Sequence, residues 1–450
     1  MKKIPFLHMA AMAAVLSLAS CSDDESESVN NEPGQVTAAA NTEAATDYDY
    51  SATAKQVNLA GSSATSDDES VTTEGSKVTI TQSGVYHVSG TLADGQLVVD
   101  ADENAVVKLV FDGVSITSST NAAIDIENAD KVIIRVQQGT TNTITDASGN
   151  SQNGAIYSRT KLSIFGTGTL TVNGNDAAAI RSEGGVVLKE STFILNADDV
   201  AVSTDFNITV PSGDFTVNAQ GDGFSADTDI NITGGTINIA QSQDGFEAGA
   251  VNIAAGTVRI TASADGIDAD GANTSANTEI YLKGGYLYVN AAQNGLDAQG
   301  NIVVDGGTLV IDGPTAGSSA AVNFTGNFNI NNGVVVAVSG NGTIDAPSET
   351  SGQNAVLLDF ESTQDAETVV HLQSTTGANL FTFKPAHSFK KILVSTAAVA
   401  DNGSYQLYTG GTVTGDITDG WYDFISYIGG VLQATFTVTG TVTTVQSANL

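Results

Sequence analysis

Aspartate, glutamate and asparagine recur at fixed positions in the segments GDGFSAD, QDGFEAG, ADGIDAD and QNGLDAQ, between residues 221 and 300. Oxygen-bearing side chains of these types are the ligands that calcium prefers. When the segments are aligned on their apolar residue, one acidic column precedes it by two residues, and two others follow it by one and three. These columns contain the candidate metal ligands Asp222, Asp244, Glu247, Asp265, Asp268, Asp270, Asn294 and Asp297.

The spacing of these carboxylates favours a bound cation. Equivalent positions on stacked coils lie about 4.8 Å apart, and two unit charges at that distance repel by about 3.5 kcal/mol at an effective dielectric of about 20. Calcium would relieve this repulsion by binding carboxylates of adjacent coils and carbonyl oxygens of the glycine turns. Softer metals are disfavoured because His87, His371 and His387 lie outside the acidic segments. The alternative is that the aspartates only form hydrogen bonds at tight turns.

A repeat in the sequence indicates the secondary structure that carries these acidic residues. The apolar residues that align are Ile156, Ile180, Val202, Phe224, Phe246, Ile267, Leu296 and Val322. They are separated by 24, 22, 22, 22, 21, 29 and 26 residues, and each leads into an apolar alternation such as INITGGTINI. This period predicts an all-β solenoid, a parallel β-helix in which each turn of chain stacks on the last. The longest step contains an insert at 271–279, which we expect to project as a loop.

The composition agrees with a folded, strand-rich protein. The 450 residues include 47 glycines and 41% hydrophobic residues, which suits stacked strands and argues against disorder. Sixteen basic residues against 50 acidic ones give a formal net charge of −34. This charge repels phosphate backbones, so the sequence excludes nucleic acid as a partner and favours divalent cations.

The N-terminus predicts a bacterial lipoprotein. A basic pair at residues 2–3 precedes an apolar stretch too short to span a membrane comfortably, and the residues LAS then lead into Cys21, the only cysteine. Cleavage before Cys21 and lipidation there would anchor the mature protein in the outer membrane. The acidic residues 22–25 resemble a tag that sends lipoproteins to the cell surface. An ordinary secretory signal followed by a chance cysteine is the alternative.

Four regions are predicted along the chain. Residues 1–20 form the signal peptide, and residues 21–70, rich in Ser, Ala, Thr, Asp and Glu, form a flexible acidic stalk. Residues 71–340 form the parallel β-helix, with alternating strands from Lys77 onward. Residues 341–450 form a C-terminal cap of β-strands that closes the open end of the solenoid, with a separate small β-domain as the alternative.

A further column of side chains is suited to sugar binding. The strands after each Gly-Gly pair leave Arg259 and Tyr288 pointing outward on successive coils. A guanidinium can bind a uronate carboxylate through two hydrogen bonds, and a tyrosine ring can pack on a sugar face. Tyr281, Lys283 and Tyr286 are predicted to extend this carbohydrate-binding face. The alternative is a solvated strand face on which tyrosine is a β-favouring residue.

Three stretches of the sequence carry a resemblance to a known bacterial family. They are VVKLVFDGVSITSSTNAAIDIENADKVIIRVQQGTTNTITD, the DGF and DGI segments with INITGGTINI, and LYTGGTVTGDITDGWY. They resemble the carbohydrate-binding, calcium-containing right-handed parallel β-helix family, which is related in fold to pectate lyases. The similarity covers residues 70–445. The resemblance implies a right-handed β-helix that binds calcium and acidic or cellulosic plant polysaccharide, such as pectin, at the cell surface.

Binding of polysaccharide and cleavage of polysaccharide are the two activities that the sequence must distinguish. A lyase of the pectate-lyase kind needs a base near calcium, and Arg181 is the basic residue in the same column as Glu247 and Asp268. Arg181 lies short of the densest carboxylates, which favours binding without cleavage. A glycosidase that uses paired carboxylates and a surface adhesin with a protein partner are further alternatives. The sequence therefore predicts a calcium-loaded β-helix that binds polysaccharide, such as polygalacturonate, without catalysis.

Overall fold

The structure is a computed structural model that describes residues 40–150, 152–270, 278–314 and 317–446. The described residues belong to one compact unit, Val36–Leu450. The predicted signal peptide, the lipidation site Cys21 and most of the predicted insert lie outside the described residues. Within the described ranges, no helix has the length and apolar character that a membrane span requires.

Strands make up most of the described chain, and its one short 3-10 helix spans Ala45–Tyr48. The strands of the N-terminal and central part are β1 (Lys55–Gly61), β2 (Ala64–Ser66), β3 (Val71–Glu74), β4 (Lys77–Ile80), β5 (Gly84–Leu92), β6 (Gln96–Asp100), β7 (Val106–Thr117), β8 (Ile124–Asn128), β9 (Lys131–Val136), β10 (Thr141–Thr145), β11 (Gly154–Ser158), β12 (Lys161–Gly166), β13 (Thr169–Gly174), β14 (Ala178–Ser182), β15 (Val186–Leu188), β16 (Thr192–Ala197), β17 (Val202–Thr204), β18 (Asn207–Val210), β19 (Asp214–Ala219), β20 (Phe224–Ile232), β21 (Thr236–Ser242), β22 (Phe246–Ile253), β23 (Thr257–Ala262), β24 (Ile267–Ala269), β25 (Glu279–Leu282), β26 (Tyr286–Ala291), β27 (Leu296–Ala298), β28 (Asn301–Val304), β29 (Thr308–Asp312), β30 (Val322–Phe324), β31 (Phe328–Ile330) and β32 (Val334–Ser339). The strands of the C-terminal part are β33 (Ala355–Gln364), β34 (Val370–Ser374), β35 (Asn379–Phe383), β36 (Phe389–Ser395), β37 (Ser404–Thr409), β38 (Thr412–Thr418), β39 (Trp421–Ile428), β40 (Val431–Thr437) and β41 (Val442–Gln446).

The solenoid has three faces, because each full coil contributes three strand segments that pair in parallel with those of the next coil. Face 1 consists of β6, β8, β11, β14, β17, the first halves of β20 and β22, β24, β27 and β30. Face 2 consists of β9, β12, β15, β18, the second halves of β20 and β22, β25, β28 and β31. Face 3 consists of β10, β13, β16, β19, β21, β23, β26, β29 and β32. The prediction of a parallel β-helix is confirmed, with about 10 turns.

The aligned apolar residues form one inward column on face 1. Each pairs with the next along the solenoid, from Ile156 with Ile180 to Leu296 with Val322. All of them are at most 1% exposed. Apolar side chains from the three faces fill a common interior, and this burial, at about 25 cal/mol per Å² of apolar surface, holds the coils in register.

The predicted flexible stalk is wrong for residues 40–70, which fold onto the solenoid. Asn41 is buried against face 2, where its Nδ2 atom donates to the Leu162 carbonyl oxygen at 2.8 Å. Asp47 and Lys131 form a buried ion pair at 2.8 Å. The sequence did not predict these contacts, because residues 40–70 are mostly polar and their partners on the solenoid lie far along the chain.

The first strand of the solenoid also lies within the predicted stalk. β1 pairs in parallel with β5, and its alternation buries Val57 and Leu59. The apolar period of this strand is too short to stand out in a segment rich in Ser and Thr. The β-helix therefore begins at Lys55, ahead of the predicted boundary at residue 71.

Asn41→Ala is expected to lower the free energy of unfolding by about 1–3 kcal/mol, because it leaves buried polar groups without partners. These groups include the Leu162 carbonyl and the Ser163 hydroxyl, which lies 3.0 Å from Asn41 Nδ2. Urea denaturation followed by far-ultraviolet circular dichroism measures the loss. The exposed neighbour Thr42, changed to Ala, is the control. Equal stability of both variants and the parent protein would show that the segment is not anchored.

The C-terminal part closes the last coil and also has a core of its own. β36 pairs antiparallel with β32, the last strand of face 3, and with β33, which pairs in parallel with β41. The other strands form a six-stranded sheet in the order β38-β39-β35-β34-β37-β40. Phe381 and Phe383 of this sheet share one apolar cluster with Val310 and Val336 of face 3. This cap therefore lies on the last coils of face 3.

Candidate calcium and glycan site

The outward side chains of face 1 include the acidic column read from the sequence. Backbone pairing places Glu247 beside Ser225, Asp268 beside Glu247, and Asp297 beside Asp268. The predicted register of this column is confirmed, and Asn323 extends it by one coil. Neighbouring strands of a sheet are about 4.8 Å apart, so carboxylates on consecutive coils repel one another.

A second acidic column lies at the corner that leads into face 1, and its side chains bind the backbone of the next coil. Asp222 Oδ1 accepts a hydrogen bond from the Asp244 N–H at 3.0 Å, and Asp244 Oδ1 accepts one from the Asp265 N–H at 2.6 Å. Asp265 and Asn294 continue the ladder up to the Ala320 N–H. Turn hydrogen bonding, the alternative to a metal site, thus occupies one oxygen of each side chain.

Two predicted ligands cross-link neighbouring coils. The Asp297 carboxylate accepts hydrogen bonds from the carboxamides of Asn294 at 2.9 Å and Asn323 at 2.8 Å, one on each oxygen. The Asn294 carboxamide also lies 3.3 Å from Asp265 Oδ2. Asn294 and Asp297 therefore have fewer oxygen lone pairs left for a cation than the more central carboxylates.

The central carboxylate cluster consists of Asp222, Asp244, Glu247, Asp268 and Asp270. Burial first, and then the field of neighbouring carboxylates, raises the pKa of Asp244 to about 6 and the pKa of Asp268 to about 7. Burial and a hydrogen bond with Asp222 raise the pKa of Glu247 to about 7. Among the described residues, no donor contacts the carboxylate of Asp268 or Asp270. Carboxylates that repel each other and keep free oxygens favour a bound cation.

The donor chemistry of the cluster fits a hard cation, since it offers carboxylate oxygens and no imidazole or thiolate. Across the described ranges, no three His, Cys, Asp or Glu side chains already converge as a metal-ligand group. A cation would thus need carboxylates from adjacent coils together with backbone carbonyls or water. A small cavity lined by Ser225, Asp227, Glu247 and Asp270 adjoins them. Asp227, whose pKa is raised by burial, was not among the predicted ligands.

The predicted carbohydrate-binding face is wrong as a single surface. The chain turns between β25 and β26 at Gly284 and Gly285, and Gly285 has the left-handed φ of +78° that favours glycine. Tyr281 therefore lies on face 2, whereas Tyr286 and Tyr288 lie on face 3. The alternation of inward and outward side chains along a strand does not continue across such a corner.

Arg259, Tyr286 and Tyr288 contact the cap. Arg259 Nε donates to Asp419 Oδ2 at 2.8 Å, and the Tyr286 hydroxyl donates to the same oxygen at 2.9 Å. Both Tyr286 and Tyr288 pack against the apolar cluster of the cap, and burial raises the pKa of Tyr288. The Arg259 Nε atom and the Tyr286 hydroxyl hold the turn between β38 and β39 on the solenoid, so these two groups are not free to bind a sugar.

Tyr281 and Lys283 form a separate pair at face 2. Lys283 Nζ lies 4.7 Å from the centroid of the Tyr281 ring, and the Tyr281 hydroxyl donates to the Asp305 carboxylate. Asn331 Nδ2 donates to the other Asp305 oxygen at 2.7 Å. These two hydrogen bonds lower the pKa of Asp305 below its usual value. Asp305 and Asn331 were not predicted, because only the coil register brings them beside Tyr281.

Arg181, the candidate base of a lyase, lies in the outward column of face 1. Ser203 and Ser225 separate it from Glu247 along that column. Its guanidinium is paired with the Asp205 carboxylate and donates to the Ser182 carbonyl oxygen at 2.6 Å. These contacts hold the guanidinium beside Asp205 and Ser182, away from Glu247.

Comparison with known proteins places this architecture in a family. The family model described as "Carbohydrate-binding domain-containing protein" matches residues 74–249 and 224–448. The chain belongs to this family. A relative of the same description from Acetivibrio thermocellus is 43% identical over 107 residues, which are 22% of this chain and 37% of the relative. A solved structure, described as a polysaccharide lyase-like protein from C. thermocellum in a gadolinium derivative, is 27% identical with a TM-score of 0.47, and the match covers 51% of this chain and 100% of that one.

Membership of this carbohydrate-binding family confirms the family resemblance drawn from the sequence, whereas the calcium that the resemblance implies stays a prediction. The chain spans 37% of the length of the relative from Acetivibrio thermocellus. The family match includes the central carboxylate cluster and the cap. It begins at residue 74, so the N-terminal segment that crosses face 2 lies outside it.

Proposed function

We propose that this protein binds acidic polysaccharide without cleaving it, and that calcium held on face 1 links the protein to the glycan. The observation that carries the proposal is the central carboxylate cluster, where the pKa values of Glu247 and Asp268 are both raised to about 7. The family supplies the ligand class, carbohydrate. A protein of net charge −34 repels an acidic glycan unless a cation accepts oxygens from both.

The residues that would hold calcium are Asp222, Asp244, Glu247, Asp268 and Asp270. When bound, the ion would supply positive charge and coordination positions for a sugar carboxylate. The chain itself orients the carboxylates: the corner ladder fixes Asp222 and Asp244 through backbone N–H groups. Strand pairing fixes Glu247 and Asp268 on adjacent coils. The site is therefore organised by the fold before any ligand binds.

Two features favour binding over elimination as the activity. The only arginine in the acidic column, Arg181, is paired with Asp205 and separated from Glu247 by two serine-bearing coils. A general base must lie within hydrogen-bonding reach of the proton that it removes.

We also propose that the protein lies at the surface of the outer membrane, where a lipid on Cys21 anchors it.

Binding of polygalacturonate is expected to require calcium and to weaken at least about tenfold in the double variant Glu247→Gln/Asp268→Asn, a change of about 1.4 kcal/mol or more. The reason is that replacing both carboxylates with neutral amides removes the negative charge that attracts the ion. Affinity electrophoresis with and without a chelator measures the effect. Asp305→Asn on face 2 is the matched control and should bind as the parent does. Equal retention in chelator, by protein that remains folded, would contradict the calcium link.

Cys21→Ala is expected to move the protein from the membrane fraction to the soluble fraction of a bacterial host, because lipidation requires the thiol. Fractionation and immunoblotting measure the distribution. Ser20→Ala, which leaves the cysteine in place, is the control. A membrane-bound Cys21→Ala variant would contradict the proposed anchor and would leave the glycan site unaffected.

A further inference from the structure

A cavity with about 300 Å³ of free space opens at the corner between face 2 and face 3, away from the central carboxylate cluster. Three aromatic rings line it. The Tyr48 and Phe165 centroids are 4.8 Å apart in an edge-to-face contact, and the Tyr50 and Phe165 centroids are 5.8 Å apart. Cavities of this size suit a small organic ligand.

Polar side chains from three consecutive corners complete the lining of this corner cavity. Gln138 follows β9, Thr167 follows β12, and Glu190 follows β15. The Arg135 guanidinium lies 5.4 Å from the Tyr50 ring centroid. Within the part of the chain that the structure describes, the side chains of Arg135, Gln138 and Thr167 make no hydrogen bond or ion pair. Their hydrogen-bonding groups are therefore free to meet a ligand.

The aromatic wall is fixed before a ligand binds. Lys189 Nζ lies 3.7 Å from the Tyr48 ring centroid and pairs with the Glu43 carboxylate at 3.0 Å. Lys108 Nζ donates to the carbonyl oxygens of Thr46 at 2.6 Å and Asp49 at 2.7 Å. These lysines hold the stretch that bears Tyr48 and Tyr50 on the solenoid, so little ordering entropy remains to oppose binding.

We infer that the corner cavity binds a single neutral sugar ring, as a second carbohydrate site that does not use calcium. The aromatic faces would cover the apolar C–H surface of the ring, Arg135 and Gln138 would donate to its hydroxyl oxygens, and Glu190 would accept from its hydroxyl groups. The opposite charges of Arg135 and Glu190 offset each other, which favours a neutral ring over an anion. Tyr48 and Tyr50 lie outside the family match and the lining uses no carboxylate of the central cluster, so this site goes beyond the proposed function.

Titration of the purified protein with cellotriose in a chelator, followed by calorimetry, tests this inference. We expect saturable binding that calcium leaves unchanged. Arg135→Met removes the donors but keeps the alkyl chain on Tyr50, and Tyr48→Leu removes a planar ring; each should weaken binding at least about tenfold. Tyr157→Ala is the matched control, because Tyr157 is also a half-buried tyrosine with an arginine over its ring, Arg159 at 5.9 Å, but lies on face 1.

A parallel titration with trigalacturonate distinguishes the two kinds of sugar. Binding of cellotriose alone supports a neutral-sugar site, whereas binding of trigalacturonate alone would overturn the assignment to a neutral ring. No saturable binding of either sugar up to about 10 mM, or an equal affinity of parent, Arg135→Met and Tyr48→Leu for cellotriose, would overturn the site. Thermal denaturation of each variant reports whether it is folded, and Arg135→Lys, which keeps the charge without the guanidinium fork, provides a second variant. Calcium-dependent retention of polygalacturonate by Arg135→Met reports separately on the proposed function.

Discussion

Exchanging Glu247 for Gln and Asp268 for Asn is expected to raise the melting temperature of the calcium-free protein at pH 8 by several degrees. In the folded protein the pKa of each carboxyl is raised to about 7, from ordinary values of 4.5 and 3.8. Between about pH 4 and pH 7 the folded state therefore holds more protons than the unfolded state. Stability must fall as the pH rises through this window, because the charged forms are disfavoured in the folded cluster.

Thermal denaturation at pH 5 and pH 8, each in chelator and in calcium, measures this dependence. The parent protein in chelator should melt several degrees lower at pH 8 than at pH 5, and calcium should remove most of the difference. The double variant should respond less than the parent to either change, with a residual pH dependence from Asp244, whose pKa is raised to about 6. Asp305→Asn is the control, because the pKa of Asp305 lies below its ordinary value of 3.8 and its carboxyl is therefore charged at both pH 5 and pH 8. A parent protein with one melting temperature under all four conditions would contradict the electrostatic description of the cluster.

Phe246→Ala is expected to lower the free energy of unfolding by about 3–5 kcal/mol, the usual range when a buried phenyl ring is deleted. Phe246 is fully buried, and its ring stacks on Phe224 with centroids 5.5 Å apart and an interplanar angle of 26°. The cavity would open in the coil that carries Glu247, since Glu247 is the next residue. Calcium affinity should therefore fall together with stability.

Urea denaturation followed by circular dichroism measures the loss in Phe246→Ala. Phe246→Leu is the control and should lose only about 1–2 kcal/mol, since leucine fills more of the space. Fluorescence of Trp421, the single tryptophan, reports the cap separately from the coils. Equal and small losses in both variants would show that ring stacking does not hold these coils together.

The solenoid could be predicted from the sequence because its governing contacts are periodic. Each inward residue of face 1, such as Phe224 or Phe246, meets its counterpart one repeat away, so aligning the repeats also aligns the strands. The outward register of Ser225, Glu247 and Asp268 follows from the same alignment. A periodic sequence thus encodes both the core and the column of carboxylates above it.

Contacts that bridge distant parts of the chain could not be predicted in this way. Asn41 lies against Asn207, 166 residues away, and Arg259 contacts Asp419, 160 residues away. Neither contact has a periodic signature, so the sequence suggested a stalk in the first case and a sugar-binding face in the second. The lining of the corner cavity was missed for the same reason, because Tyr48 meets Phe165 only in the fold.

The assignment of individual metal ligands also exceeds what a repeat can specify. Asp265 and Asp268 both recur in acidic columns, yet Asp265 accepts a hydrogen bond from the backbone N–H of Asn294, and among the described residues Asp268 meets no donor. A sequence column fixes the coil on which a carboxylate lies. The hydrogen bonds that occupy its oxygens depend on which way the corner turns.

Calorimetric titration of calcium into metal-free protein at pH 7, in two buffers with different ionisation enthalpies, tests the central claim most directly. Glu247 and Asp268 each have a pKa raised to about 7 and are therefore about half protonated at this pH. Calcium binding should release about one proton in total per protein, and the release should vanish in Glu247→Gln/Asp268→Asn. A titration without heat in either buffer, or calcium binding that the double variant retains unchanged, would contradict a calcium site on face 1.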